Sequence, residues 1–331
     1  MSNLLNLNNK TAAVIGASSG IGRAVALLLA EHGANVVLCA RRADKLEETA
    51  ALIRARGGRA VAVAGDAVLP ETHEAVVHAA EREFGSLDIP VNNAGIIGAY
   101  KPLAELSPEE WRVTLDGNLT AAFLGARSQI PAMLARGGGS IVFTSSFVGT
   151  SCALPNKTAY GCAKAALAAL AKGITADYAA QGIRANALLP GGTDTEMMTT
   201  DPQQRAWAEG LHAVKRIARP EEIAAAILFL VSPMGSFVTG TALFADGGNS
   251  AVKEETAGRL HASAQISQKR LPLFVGGFVH IAEVEPTAFG DTDAFERVPH
   301  HRFADAVAAK PFQIPCGGGG RADDQCFFDV G

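Results

Sequence analysis

Tyr160 and Lys164 stand four residues apart in an Ala-rich apolar run from Thr158 to Tyr178, so on a helix they share one face with Cβ atoms about 5 to 6 Å apart. A free tyrosine, with a pKa of about 10, is a poor base at neutral pH. A neighbouring ammonium stabilises its phenolate and turns it into a usable acid/base group. A YxxxK pair by itself is more often a surface contact, and its setting decides. Ser146 directly follows the apolar run Ser140–Ser145, at the carboxyl edge where open α/β sheets place ligands, and its hydroxyl can hydrogen-bond a substrate oxygen. Asn118 precedes a long predicted helix, where it either holds a water that relays the proton or caps the helix.

A second constellation binds phosphate. Gly16-Ala17-Ser18-Ser19-Gly20-Ile21-Gly22 joins the first predicted strand to the first predicted helix. A tight turn there lets a pyrophosphate approach backbone N–H groups at a helix N-terminus, and glycines permit both the turn and the approach. The GxxxGxG spacing differs from the general GxGxxG dinucleotide fingerprint, so the position at the first βα junction carries the argument. At the end of the second predicted strand an acid would bind a ribose 2′-OH and an arginine a 2′-phosphate. Ala40 is followed by Arg41 and Arg42, and a guanidinium bonds a phosphate bidentately, which favours NADP(H) over NAD(H). The competing reading is a solvated basic loop. Asp66, after the third strand, fits either a contact to the adenine edge or a turn. With a nicotinamide cofactor in place, the oxidised ring adds a second positive charge near the Tyr160 phenolate.

These residues are hung on alternating short β-branched runs and longer amphipathic ones from Thr11 to about Gly248, the pattern of strands and crossover helices in a doubly wound parallel α/β sheet. Predicted strands are Thr11–Gly16, Asn35–Ala40, Ala60–Gly65, Asp88–Asn92, Ser140–Ser145, Ile183–Leu188 and Thr241–Ala245, near-continuous apolar runs as expected of strands covered on both faces. Helices such as Ile21–His32 lie between them, with Ile21, Val25, Leu28 and Leu29 on one face. Pro90 interrupts the fourth strand, where it cannot donate a ladder hydrogen bond. The expected organisation is a catalytic domain over residues 1–252 and a C-terminal extension over 253–331. The extension lacks sustained periodicity, contains the run Gly317–Gly320, and reads as loosely packed or disordered. Its short apolar pieces Leu271–Val275 and Phe278–Ile281 could form strands, with Gly276 and Gly277 between them.

Composition narrows the class. The chain has 331 residues, 48% hydrophobic and 19% charged, with a formal charge of -4, which fits a globular enzyme and offers no basic block for nucleic acid. The polar first residues and the lack of any apolar stretch of roughly 18 residues predict neither a leader nor a membrane span, hence a cytoplasmic protein. Five cysteines without a CxxC pair suit free thiols. A zinc site from His300, His301, Cys316 and Cys326 would need unusual spacing, so no metal is expected.

Over about Asn8 to Gly248 the chain resembles the short-chain dehydrogenase/reductase family. The resemblance rests on ordered motifs: the loop at Gly16, Gly20 and Gly22; Asn92-Asn93-Ala94-Gly95 after the fourth strand; Asn118; Ser146; Tyr160 with Lys164; and Pro190-Gly191 after the sixth strand. It implies that Tyr160 is the acid/base, that Lys164 lowers its pKa and binds the nicotinamide ribose, that Ser146 orients the carbonyl, and that Asn118 supports a water relay. The implied cofactor groove is lined by Gly16, Ser18, Ser19, Gly20, Ile21, Gly22, Arg41, Arg42, Asp66, Ala67, Asn93, Ala94, Gly95, Tyr160, Lys164, Pro190, Gly191, Thr193 and Thr195, with Thr195 on the nicotinamide carboxamide. The implied assembly is a homo-oligomer, a tetramer or dimer. Ile15 stands where many members have threonine, which removes a side-chain bond to the fourth-strand loop. Cys162 and Ala163 replace the frequent Ala-Ser, and residues 253–331 have no counterpart.

The resemblance is closest to 3-oxoacyl-reductase-like members and implies an NADPH-dependent carbonyl reductase. Reductases that dock the acidic acyl carrier protein often carry a basic residue where Gln181 stands, so a small or medium apolar carbonyl fits at least as well. Met197, Met198, Trp207 and Leu211 then belong either to a mobile lid or to the core of a short helix. The alternatives are an NAD-dependent alcohol or sugar dehydrogenase, which differs mainly at Arg41, and a non-catalytic cofactor-binding protein, against which Tyr160 and Lys164 both speak.

Overall fold

The computed structural model describes residues 4–198 and 200–252, together with the backbone of two short strands at 273–275 and 278–280. The strands β1 (Thr11–Ile15), β2 (Asn35–Ala40), β3 (Ala60–Ala64), β4 (Ile89–Asn92), β5 (Gly139–Thr144), β6 (Ile183–Pro190) and β7 (Ala242–Ala245) form one seven-stranded sheet. Its order is β3-β2-β1-β4-β5-β6-β7, and every adjacent pair is parallel. The chain moves outward from β1 to β3, then returns to place β4 on the other side of β1. Neighbouring crossovers therefore leave β1 and β4 in opposite directions and open a crevice above their carboxyl ends, where this architecture binds ligands.

Burial on both faces explains the apolar runs. In β1, Ala12 and Val14 enter one core with Val25 and Leu29 of α1 (Gly20–Glu31), while Ala13 and Ile15 enter the opposite core with Val76 and Ala80. The first core also takes residues of α2 (Ala43–Ala55) and Ile223 and Ile227 of α8 (Pro220–Val231); the second face is covered by α3 (Pro70–Phe84), α5 (Ala121–Ala135) and α6 (Thr158–Tyr178). The seven predicted strands are all present, with ends shifted by one or two residues. The largest difference is β6, which runs on to Pro190 because Pro190 pairs with Ala245. Pro90 stands opposite Ala13 in the β1 ladder, and on the β5 side it falls between the Ser140 N–H bond to Asp88 O and the pairing that resumes at Val91, so its missing N–H is a local gap in that ladder.

A separate unit covers residues 256–331. Within it Leu273–Val275 and Phe278–His280 pair antiparallel, Phe274 opposite Val279, in the two apolar pieces singled out from the sequence. The expectation of loose packing for the rest of 253–331, and the four residues weighed for zinc, lie outside the described residues.

Candidate active site

The phosphate loop is built by close approach. Gly16 has φ +89°, and a Cβ there would stand 2.9 Å from the Ala94 backbone in the neighbouring β4 loop; a Cβ on Gly22 would stand 2.1 Å from the Gly16 carbonyl oxygen. Only glycine fits either position, and the turn it permits points the α1 N-terminus into the crevice. Asn93 Nδ2 donates to Gly16 O at 3.2 Å. This bond ties the loop to the β4 segment and supplies the link lost with Ile15. Asn92, next to it, is held in the core by reciprocal bonds with Gln129 of α5 at 2.9 and 3.2 Å.

The two arginines after β2 differ. Arg42 reaches back over the loop, donating from Nη2 to Ser18 Oγ (3.1 Å) and Ser19 Oγ (2.8 Å), and pairs through Nη1 with Glu196 at 3.0 Å. Arg41 also lines the cleft, and its guanidinium makes no hydrogen bond or ion pair among the described residues. Asp66 both lines the cleft and makes its own turn, its Oδ1 accepting from Val68 N–H at 3.3 Å. Cys39, beneath it, is buried, and that burial together with the Asp66 charge pushes the thiol up to about 12.

Ser146, Tyr160, Lys164 and Asn118 line the same cleft, of about 1770 Å³. Tyr160 and Lys164 share one face of α6, with Lys164 Nζ 5.9 Å from the Tyr160 ring centroid. Lys164 is buried; its ammonium donates to Thr144 O at 2.8 Å, and its own carbonyl accepts from Ser145 Oγ at 2.6 Å. Burial alone lowers its pKa to about 8. Burial raises the Tyr160 phenol, against which a hydrogen bond with Ser146 pulls down. The phenol is therefore protonated at neutral pH, and the Lys164 ammonium bonds the Thr144 carbonyl. Ser146 Oγ accepts from Val148 N–H at 3.1 Å, which leaves its own proton for the phenol or a substrate oxygen.

Asn118 stands ahead of the long helix α5, as expected, but does not cap it. It sits inside a π-helical turn, Asp116–Thr120, that joins α4 (Pro108–Leu115) to α5. Its Nδ2 donates to Ile96 O and Thr114 O, both at 2.8 Å, and its Oδ1 accepts from Ile96 N at 3.2 Å. Both amide protons are thus committed, so any water would have to use the remaining lone pair or the backbone of the turn. A Cβ on Gly95 would stand 2.7 Å from Asn118 Oδ1 and 3.0 Å from Lys164 Nζ, so glycine there keeps these groups accessible from the groove.

Residues after β6 form the facing wall. Thr193 bridges to Ala218 and donates to Gly191 O, and Thr195 lies over the phosphate loop, its Cγ2 2.9 Å from a Cβ built on Gly20. Helix α7 (Pro202–Gly210) carries Trp207, 55% exposed, and Met197 before it is 53% exposed; both line the cleft with Met198 and Leu211, which removes the core-of-a-short-helix reading for the first two. His212, not singled out from the sequence, is buried: its Nε2 accepts from Gly192 N–H at 2.9 Å and its Nδ1 lies 2.8 Å from Ala208 O, the pattern of a ring carrying its proton on Nδ1. Thr144, Ser145, Glu196, Lys157 and Tyr100 also escaped the sequence reading. Their partners lie far away in the chain, and no spacing signals them. The described residues hold no group of three or more His, Cys, Asp or Glu side chains placed to bind a metal, and no helix among them is long and apolar enough to cross a membrane.

A family model described as Enoyl-(Acyl carrier protein) reductase matches residues 16–250. The chain is 39% identical over 240 residues to the cyclohexanol dehydrogenase of Acinetobacter sp. (strain SE19), covering 72% of this chain and 94% of that one. It is 41% identical over 244 residues to the cis-4-hydroxycyclohexanecarboxylate dehydrogenase of Sinomonas cyclohexanicum, covering 73% and 97%. A solved gluconate 5-dehydrogenase from Burkholderia cenocepacia J2315, in complex with NADP and tartrate, superposes with a TM-score of 0.71 at 32% identity, covering 76% of this chain and 99% of that one.

Proposed function

The chain belongs to the short-chain dehydrogenase/reductase family of oxidoreductases acting on CH–OH groups, and from this membership we propose that it is an NADP(H)-linked enzyme in which Tyr160 exchanges the proton with an alcohol or carbonyl oxygen. One observation carries the reading: the Tyr160 phenol, hydrogen-bonded to Ser146, stands over the buried Lys164 ammonium at the carboxyl edge of the sheet, in the same cleft as the glycine cradle. The residues present fit a dinucleotide, since the lack of a Cβ at Gly16 and Gly20 lets the loop pack against Ala94 and Thr195 in the turn that presents backbone N–H groups at the α1 N-terminus to the groove. The cofactor supplies the hydride in reduction and accepts it in oxidation. Tyr160 Oη gives its proton to the developing alkoxide during reduction, and Ser146 Oγ donates a hydrogen bond to the same oxygen. Lys164 holds positive charge beneath the resulting phenolate. Protons return along the Asn118 turn, whose backbone and free Oδ1 lone pair offer water acceptors. Thr195 and His212 keep the β6 loop pressed on the cofactor side.

The test is Tyr160→Phe, which removes the transferable proton and preserves the ring. Turnover is expected to fall at least about 10²-fold with cofactor affinity retained; a variant keeping more than about a tenth of the wild-type rate refutes the assignment. A second reading, NAD(H)-linked oxidation of a cyclic or sugar alcohol, is favoured by the engagement of Arg42 with Glu196 and by the cyclohexanol dehydrogenase relative. Initial rates with NADPH, NADH and their oxidised forms, on ketones and alcohols, separate the two.

A further inference from the structure

Lys10, Lys45 and Lys101 are paired with Asp88, Glu48 and Glu110. Lys157 is not. It stands immediately before α6, three residues ahead of Tyr160, half-buried in the wall of the cleft beside Leu154 and Pro155. Among the described residues its ammonium has no carboxylate partner, and its one recorded neighbour is the Tyr100 ring, with a centroid 5.9 Å away. Glu110, the acid anchored near Tyr100, is taken by Lys101. Two costs accompany this placement. Burial destabilises the charged form and lowers the Lys157 pKa, and a cation at a helix N-terminus sits at the positive end of the helix dipole. An anion in the cleft removes both costs at once. Tyr100, 60% exposed, presents a ring face to the ammonium and an apolar edge to a substrate ring.

We propose that Lys157, flanked by Tyr100, forms a subsite for a carboxylate of the substrate, so that the enzyme acts on ketones or alcohols carrying a carboxylate away from the reacting carbon. The proposal rests on the oxidoreductase reading of the cleft. One ammonium with one aromatic neighbour suits a singly charged carboxylate; a phosphate dianion ordinarily collects several donors.

The experiment compares 4-oxocyclohexanecarboxylate with its methyl ester, a neutral probe of nearly the same shape, in the wild-type protein, Lys157→Met and Lys157→Arg. The wild-type kcat/KM is expected to favour the acid at least about tenfold, the low end for a hydrogen bond to a charged group, through KM rather than kcat. Lys157→Met is expected to abolish that ratio and Lys157→Arg to keep most of it. Calorimetry with cyclohexanecarboxylate and cyclohexanecarboxamide, on protein saturated with NADP⁺, reads the same preference without turnover and in the same three proteins. An acid-to-neutral ratio near one in the wild type, or a ratio unchanged in Lys157→Met, overturns the carboxylate subsite. Failure to turn over any ketone with NADPH or NADH would instead sink the oxidoreductase reading, and calorimetry would still decide the subsite.

Discussion

Replacing Arg41 with alanine removes a guanidinium that lines the cleft and makes no bond among the described residues. Nothing in the ligand-free protein has to be broken before Arg41 takes a 2′-phosphate, so the full gain of a charged hydrogen bond, about 1.5–3 kcal/mol, is available to NADPH. That gain corresponds to about 10- to 150-fold in Kd. Arg42 is different, because its guanidinium is already shared between Ser18, Ser19 and Glu196. Its partner side chains are 44% (Arg42) and 63% (Glu196) exposed, and an exposed ion pair of that kind is worth about 0–1 kcal/mol. Glu196→Gln is therefore expected to tighten NADPH by up to about fivefold, by freeing Arg42 for the phosphate, and to leave NADH nearly unchanged. Arg42→Ala loosens the serines of the phosphate loop and is expected to weaken both cofactors. The assay is calorimetric titration of NADPH and NADH into wild type and the three variants. Equal losses of NADPH and NADH affinity in Arg41→Ala would refute the assignment of Arg41 to the 2′-phosphate.

Two further perturbations test the scaffold around the site. Gly22→Ala pushes a methyl group to within 2.1 Å of the Gly16 carbonyl, so the phosphate loop must shift at a cost of about 1–3 kcal/mol. The melting temperature should drop by about 2–4 °C per kcal/mol, with weaker cofactor binding; an unchanged melt and Kd would refute the packing argument. His73 is buried, its Nε2 bonded to Ala67 O at 2.8 Å and its Nδ1 without a partner, and burial holds its pKa below the ordinary histidine value of about 6.5. The unfolded chain takes up this proton before the folded one does. Its contribution to stability is complete above about pH 6.5 and is lost as the pH falls below it, by at most about 1.4 kcal/mol per unit. Urea melts between about pH 5 and 7 should show a shallower slope for His73→Phe than for the wild type, and parallel curves would refute the assignment.

The sheet was legible because a strand covered on both faces leaves a continuous apolar run, and Asn35–Ala40 coincides with its observed bounds. The glycine loop and the Tyr160–Lys164 pair were legible because each rests on local spacing, a turn or one helical turn. The π turn that holds Asn118 just ahead of α5 left no mark in the sequence, because apolar periodicity cannot distinguish i+4 from i+5 hydrogen bonding. Arg42 read as a phosphate ligand on its position alone. Its contact with Glu196 joins two loops that are adjacent only after β6 has been laid beside β5. Lys157 read as nothing, since a lysine before a helix is indistinguishable from a solvated one until the cleft exists.

Burial acts on all the ionisable groups of the reacting end in one direction, toward the neutral form: the Tyr160 phenol rises, Lys164 falls to about 8 and Lys157 falls. A cleft built this way holds little charge by itself and is completed by what enters it. Lys164, lowered to about 8 by burial and donating a hydrogen bond to Thr144 O at 2.8 Å, holds its ammonium 5.9 Å from the Tyr160 ring centroid. An oxidised nicotinamide held in this cleft would add positive charge and lower the phenol, whereas the neutral reduced form would not. If Tyr160 is the acid/base, it is a protonated acid with the reduced cofactor and is drawn toward a base with the oxidised one, so electrostatics matches proton to hydride.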